Sequence, residues 1–283
     1  MYGPEILARF LSIPAAPDRF GQRWQYNSRS DRHSKVGCWG IAFDLLRTSA
    51  LLRRYVEVGK VSFGINHEMR DFTHDRKKNL DLVIGRPEPG ATSSSQTFRG
   101  LVGEYGIPLT ETELDDLKAL PDAPIASVAA VMVALEAKAT MTAHVKSLPR
   151  LYDELNSSQL AIHGASSNAL AIGYVQVNLA HRFLSSVLNS ERIATDQAPR
   201  WTDHRQPADA ERVIAKVRQL PRRAGRAGAG FDGLGVSLFD LANDGSVVQL
   251  VTAPPAPQPG DILNYATMIS RMANEFDSTF TSI

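Results

Sequence analysis

Residues Val128 to Leu155 read V-A-A-V-M-V-A-L-E-A-K-A-T-M-T-A-H-V-K-S-L-P-R-L-Y-D-E-L, an apolar run that ends by delivering Glu136 and Lys138. On an extended strand side chains alternate between faces, so residues two apart project from the same side and a carboxylate and an ammonium share one small site. Val128, Val131, Val133, Thr140 and Thr142 favour a strand, and Pro149 would break a helix interior. The competing reading is one amphipathic helix from Ala126 to Leu155, because Ala, Leu, Met, Glu and Lys are good helix formers. Glu136 and Lys138 would then be part of a solvated helix face.

Upstream, N-L-D-L-V-I-G (79–85) reads as a second strand with one acid, Asp81, among Leu80, Leu82, Val83 and Ile84. A charge in such a run is costly unless it is paired or bound to metal. The two stretches together give an acid and, 55 positions on, the Glu of an E-x-K, and no other E-x-K occurs in the chain. The segment after it, His144 to Leu155, can form a helix, and A-L-A-I-G-Y-V-Q-V-N-L (169–179) reads as a buried strand.

This order of elements and acids, from about Val58 to Leu179, resembles the PD-(D/E)XK nuclease superfamily, most of all its restriction-endonuclease branch. The resemblance implies an α/β fold, a central mixed β-sheet flanked by helices (a restriction-endonuclease-like core) with insertions. It implies that Asp81 and Glu136 hold Mg²⁺, a hard cation that takes oxygen ligands and keeps several waters. Lys138 would orient the attacking water or stabilise developing charge, making Asp81, Glu136 and Lys138 the catalytic set. Double-stranded DNA is the implied partner, and cutting both strands implies a homodimer. Related enzymes often carry a further acid upstream, a place that Glu68 can fill. Asn79 and Leu80 precede Asp81 where the family name has a proline. Leu148 stands four residues before Tyr152 where the exonuclease-like branch has glutamine, which argues against that branch. The rival from another class is a non-catalytic nucleic-acid-binding or scaffold protein whose E-x-K is fortuitous.

Composition excludes several classes. At 283 residues and 43% hydrophobic content the chain can bury a sizeable core, read as one elaborated domain over 1–283 with its catalytic core at about 58–179 and a C-terminal hairpin and helix at 232–278. No apolar run approaches 18 residues and M-Y-G-P-E lacks the features of a signal peptide, so a cytoplasmic protein with no membrane partner is expected. The single cysteine, Cys38, excludes a disulfide framework and a cysteine-based zinc site, and is expected as a small buried hydrophobe. Net charge is +1, so basic character is local: residues 29–35, 70–78 and 218–226. Each cluster reads first as solvated surface. Lys77 and Lys78, just ahead of Asp81, are the exception and are placed to meet phosphates beside a cleavage point.

Other elements follow from periodicity and turn chemistry. Ser34 to Tyr55 reads as one core helix, Val58 to Ile65 as a strand, and Asn66 to Asn79 as a polar hairpin or loop. An insertion between Arg86 and Pro124 begins loop-like and then offers Thr110 and Glu113 as a capping box for a helix through Leu120. The helix after E-x-K is expected to start near Leu148, because Pro149 suits only a first turn, and to end before N-S-S-Q (156–159). Residues 181–208 read as irregular, with Trp201 either touching nucleic acid or anchoring a loop, and 208–220 as a helix. The G-x-G-x-x-G at Gly228, Gly230 and Gly233 has a helix before it and a strand after it, the reverse of a dinucleotide fingerprint, and reads as a mobile basic loop. A hairpin turns at N-D-G-S between 234–241 and 247–252, a proline-rich connector follows, and Asp261 to Phe276 closes the chain as a helix.

Overall fold

The computed structural model describes residues 1–71, 75–90, 95–225 and 228–282. The centre of the 70–78 basic cluster, part of the loop after Pro87, and Arg226 lie outside the described residues. The chain runs α1 (Gly3–Leu11), α2 (Arg32–Thr48), α3 (Ala50–Glu57), β1 (Ser62–Asp71), β2 (Arg76–Pro87), α4 (Leu101–Tyr105), α5 (Glu111–Ala119), β3 (Val128–Thr140) and α6 (His144–Ala165). It continues with β4 (Leu170–Asn178), β5 (Arg182–Phe183), α7 (Ser186–Ala194), β6 (Thr202–Asp203), α8 (Ala208–Arg218), β7 (Gly233–Asp240), β8 (Gln249–Val251) and α9 (Tyr265–Thr279). Six strands form one sheet in the order β1-β2-β3-β4-β7-β8. β3, β4 and β7 are parallel neighbours, whereas β1, β2 and β8 join antiparallel, so the fold is α/β with a mixed central sheet flanked by helices.

Helices cover both faces, which is why the central strands are near-continuous apolar runs instead of alternating ones. On one face α1, α2, α3 and α9 bury Leu7, Trp39, Phe43, Leu52 and Met272 with Leu82, Val133, Leu135, Ile172 and Tyr174 of the sheet. On the other, α6 and α8 bury Leu151, Leu155, Ile162, Val213 and Val217 with Leu80, Val83, Ala134, Ala171 and Val175. Residues 128–155 are therefore a strand followed by a helix, and not one continuous helix.

Several boundaries differ from those expected, each for a local reason. The helix at 34–55 is two helices, because Ser49 leaves the helical conformation and caps the second by accepting from Leu52 N. The first strand begins at Ser62 and continues to Asp71, and Val58 instead closes α3. The helix after E-x-K starts at His144, five residues ahead of Pro149: the buried His144 ring donates to Asn178 O at 2.9 Å and fixes a first turn there. It runs on through N-S-S-Q to Ala165, since the Ser158 hydroxyl donates back to Glu154 O and needs no turn. Residues 181–208 contain α7 and the two-stranded ribbon of β5 and β6, and the Arg182 guanidinium lies 4.2 Å over the Trp201 ring. The capping box at Thr110 and Glu113 forms, as do the pairing of β7 with β8 and the terminal helix, whose N-cap is Asn264. On that helix Met268 is buried, while Ile262 precedes it and is exposed. The glycine-rich segment joins α8 to β7, its ends pinned by Phe231 N to Pro221 O and Arg223 N to Phe231 O. Gly233 admits α9, since a Cβ there would stand 2.8 Å from Met272. No described helix is long and apolar enough to cross a membrane.

Candidate active site

The site is made by a fork in the sheet. β2 and β3 pair only as far as Leu82↔Leu135, whereas β3 continues beside β4 to Thr140↔Val177. Asp81 and Glu136 are the first residues past the last rung, one on each arm. β2 also rolls over at this point: Leu82 and Ile84 face the α2 side, but Leu80 joins the α6-side core, and opposite, Asn66 takes a left-handed conformation (φ 50°). Beyond the fork the β3 backbone has no strand on that side, and a buried N–H needs an acceptor. Asp81 supplies it: its Oδ2 accepts from Ala137 N at 2.9 Å.

The same oxygen lies 3.9 Å from the Cys38 thiol, which points at it from α2. Cys38 is buried as expected, and burial together with the Asp81 charge holds its pKa well above the ordinary value, so it stays a protonated donor. Asp81 itself is pushed up to about 6, first by burial and then by the Glu136 charge, against the Ala137 N–H and Lys138.

Glu136 is 2% exposed. Its Oε1 meets Lys138 Nζ at 2.7 Å and Lys78 Nζ at 3.8 Å, while its Oε2 is buried with no hydrogen-bond partner among the described residues. Spacing by two does put Glu136 and Lys138 on one side, the α6 face of the sheet, and α6 there carries Glu154, whose Oε2 is 3.6 Å from Lys138 Nζ. Arg150 Nε donates to Glu154 Oε1 at 2.6 Å. Burial pulls the Lys138 ammonium down, but Glu136, then Asp81 and Glu154, outweigh it and leave its pKa above the usual lysine value. Burial pushes Glu154 up, and Arg150 with the two lysines brings it below the carboxylate norm.

Asp81, Lys138, Arg150 and Glu154 line a cleft of about 460 Å³, whose opposite wall is the segment before and at the start of α2: Tyr26, Arg29, Asp31, His33 and Ser34. Burial pushes His33 down to about 4 against the pull of Asp31, so this imidazole is neutral at physiological pH. The basic stretch at 29–35 is thus a cleft wall and not plain surface. In it Lys35 pairs with Asp31 at 2.9 Å and Arg32 lies over Phe10.

Glu68 is on β1, exposed, and its carboxylate meets Lys77 at 3.0 Å; no contact among the described residues links it to Glu136. Lys77 is exposed, and Lys78 points into the site. Glu154 and Arg150 were not singled out by sequence, and the wall was marked there only through the basic cluster at 29–35, read as solvated surface. An Arg and a Glu four apart on a helix carry the same signature as a solvated pair, and Arg150 and Glu154 differ from one only through what α6 faces.

Two carboxylates suit a Mg²⁺ ion that keeps several waters, and the orphaned Glu136 Oε2 is an oxygen left for a ligand. No group of three or more His, Cys, Asp or Glu side chains is arranged to hold a metal among the described residues. Comparison with family models, curated proteins and solved structures found no match to this chain.

Proposed function

We propose that the chain is a Mg²⁺-dependent DNA endonuclease like a type II restriction or phage-defence enzyme, with a restriction-endonuclease-like core. The observation that supports this reading is the fork: the β2–β3 ladder stops one residue short of both acids, so Asp81 and Glu136 are the first residues on its two arms and close enough for the Glu136 charge to raise the Asp81 carboxyl, with Lys138 on Glu136. Asp81 and Glu136 would hold the ion, which when bound would acidify a water and offset charge on the scissile phosphate. Ala137 N–H and Cys38 fix the Asp81 carboxylate in the fork. Lys138, at the cleft floor, orients the attacking water and stabilises charge that develops on the phosphate oxygens. Lys77 and Lys78 on the β1–β2 arm meet the flanking phosphates. Two copies act together on double-stranded DNA, one site per strand.

A scaffold reading would keep Glu136–Lys138 as an ordinary structural ion pair, the one observation that favours it. The experiment that separates them incubates wild type, Asp81→Ala and Glu136→Ala with plasmid, phage and methylated DNA and with RNA, in Mg²⁺ and then in chelator. Cleavage by wild type in Mg²⁺, absent in chelator and in both variants, is the expected result. Cleavage that persists in chelator or in either variant rejects the mechanism.

A further inference from the structure

Lys138 and a metal ion compete for one carboxylate. The Lys138 ammonium sits 2.7 Å from Glu136 Oε1, and Lys78 approaches the same oxygen at 3.8 Å, so the buried charge of Glu136 is already balanced by two cations. A divalent ion seated on Glu136 would stand beside both, and like charges at such separations repel strongly where solvent screening is weak. On Glu136 Oε1 the Lys138 ammonium therefore opposes an ion that reaches that carboxylate, yet it must stay in the cleft to act. Among the described residues, the other carboxylate that Lys138 meets is Glu154. Glu154 Oε2, on α6, is 3.6 Å from the ammonium, and Arg150 grips the other Glu154 oxygen at 2.6 Å, which keeps the carboxylate turned toward Lys138. Glu154 is 31% exposed and lines the cleft, so an ammonium drawn toward it remains at the cleft surface.

We propose that Glu154 is a positioning residue, a second seat that receives the Lys138 ammonium when a divalent cation takes Glu136. This rests on Asp81 and Glu136 being the metal ligands. The role differs from ligation: Glu154 acts on the ion only through Lys138. Arg150 holds the seat in place, and without the seat the lysine stays on Glu136 and opposes the ion.

The test is a double-mutant cycle on the full chain, with Mn²⁺ alone titrated by calorimetry and by the loss of the free-ion electron paramagnetic resonance signal. Wild type, Glu154→Gln, Lys138→Met and the double variant are compared, each first checked for native near-UV dichroism. Glu154→Gln weakens Mn²⁺ binding about tenfold, the scale on which partners of metal ligands usually act. Lys138→Met binds at least as tightly as wild type, and the double variant matches Lys138→Met, because with no lysine to seat Glu154 has no effect. Equal binding by wild type and Glu154→Gln overturns the proposal. So does a tenfold loss that persists in the Lys138→Met background, since Glu154 would then be acting on the ion directly. If wild type binds no Mn²⁺ in either measurement, the metal reading itself fails, and this inference falls with it.

Discussion

Replacing Asp81 by Asn should make the metal-free protein more stable while removing its metal site. Burial and the neighbouring Glu136 raise this carboxyl from 3.8 to about 6. At about 1.4 kcal/mol per pKa unit, that rise corresponds to roughly 3 kcal/mol of native-state penalty on the charged form. Asn removes the charge and keeps an oxygen for Ala137 N–H, but as a neutral acceptor, which forfeits about 1 kcal/mol of the charge-assisted bond. The net gain is about 1–2 kcal/mol, or roughly 2–6 °C in melting temperature for a chain of this size. The sign with pH follows from proton counting. Between about pH 4 and 6 the native state binds more protons than the unfolded chain, so wild-type stability falls as pH rises through that window. The Asn variant lacks this loss, so its advantage is absent near pH 4, grows up to about pH 6 and is constant above. Thermal or urea denaturation in chelator at about pH 4, 6 and 8 measures it. A variant less stable than wild type at pH 8, or an advantage that does not change with pH, would refute the reasoning.

Three further outcomes follow from the same structure. Mn²⁺ affinity measured by calorimetry should rise with pH to about 6 and level off above, because Asp81 must lose its proton to serve as a ligand; an affinity flat between pH 5 and 7 would remove Asp81 from the site. Changing both Lys77 and Lys78 to Ala should weaken DNA binding for all sequences alike and lower the log-log salt slope by about two, whereas an unchanged slope would assign them to solvation and to their partners Glu68 and Glu136. Gly85→Ala should destabilise by roughly 2–4 kcal/mol in urea denaturation, since a Cβ there would lie 2.2 Å from Ala130 O at the irregularity between β2 and β3, and a cost under about 1 kcal/mol would mean the strands part freely.

The strands of the sheet were legible in the sequence because burial on both faces writes them as apolar runs: β3, β4 and β7 were each placed to within a few residues. Thr110 and Glu113 announced their helix through capping chemistry that depends on four neighbouring residues alone. What was not legible depends on long-range contact. The rule that marked Asp81, an acid among apolar neighbours, marks Asp44 equally well. Asp44 is fully buried on α2 and serves to clasp the N-terminus, accepting from Tyr2 N, Gly3 N and the Tyr265 hydroxyl. Only the fork distinguishes the two acids. The length of α6 is hidden in the sequence because Asn, Ser and Gln at 156–159 look like a turn until the helix buries Ser158 and Gln159. Glu154 and the wall at Tyr26 to Ser34 join the site through the crossing of three elements far apart in sequence, which no spacing records.

The central claim is that Lys138, in the cleft at the end of β3, is the cation that assists phosphodiester hydrolysis. It is tested most directly by the single-turnover cleavage rate of Lys138→Ala against wild type, at Mg²⁺ and DNA concentrations that saturate both. Shortening a partly exposed side chain at the sheet's end should leave the fold and DNA binding intact, while loss of one transition-state charge stabiliser lowers the rate by about 10²-fold or more. A Lys138→Ala protein that binds DNA and cleaves it at the wild-type rate would contradict the account.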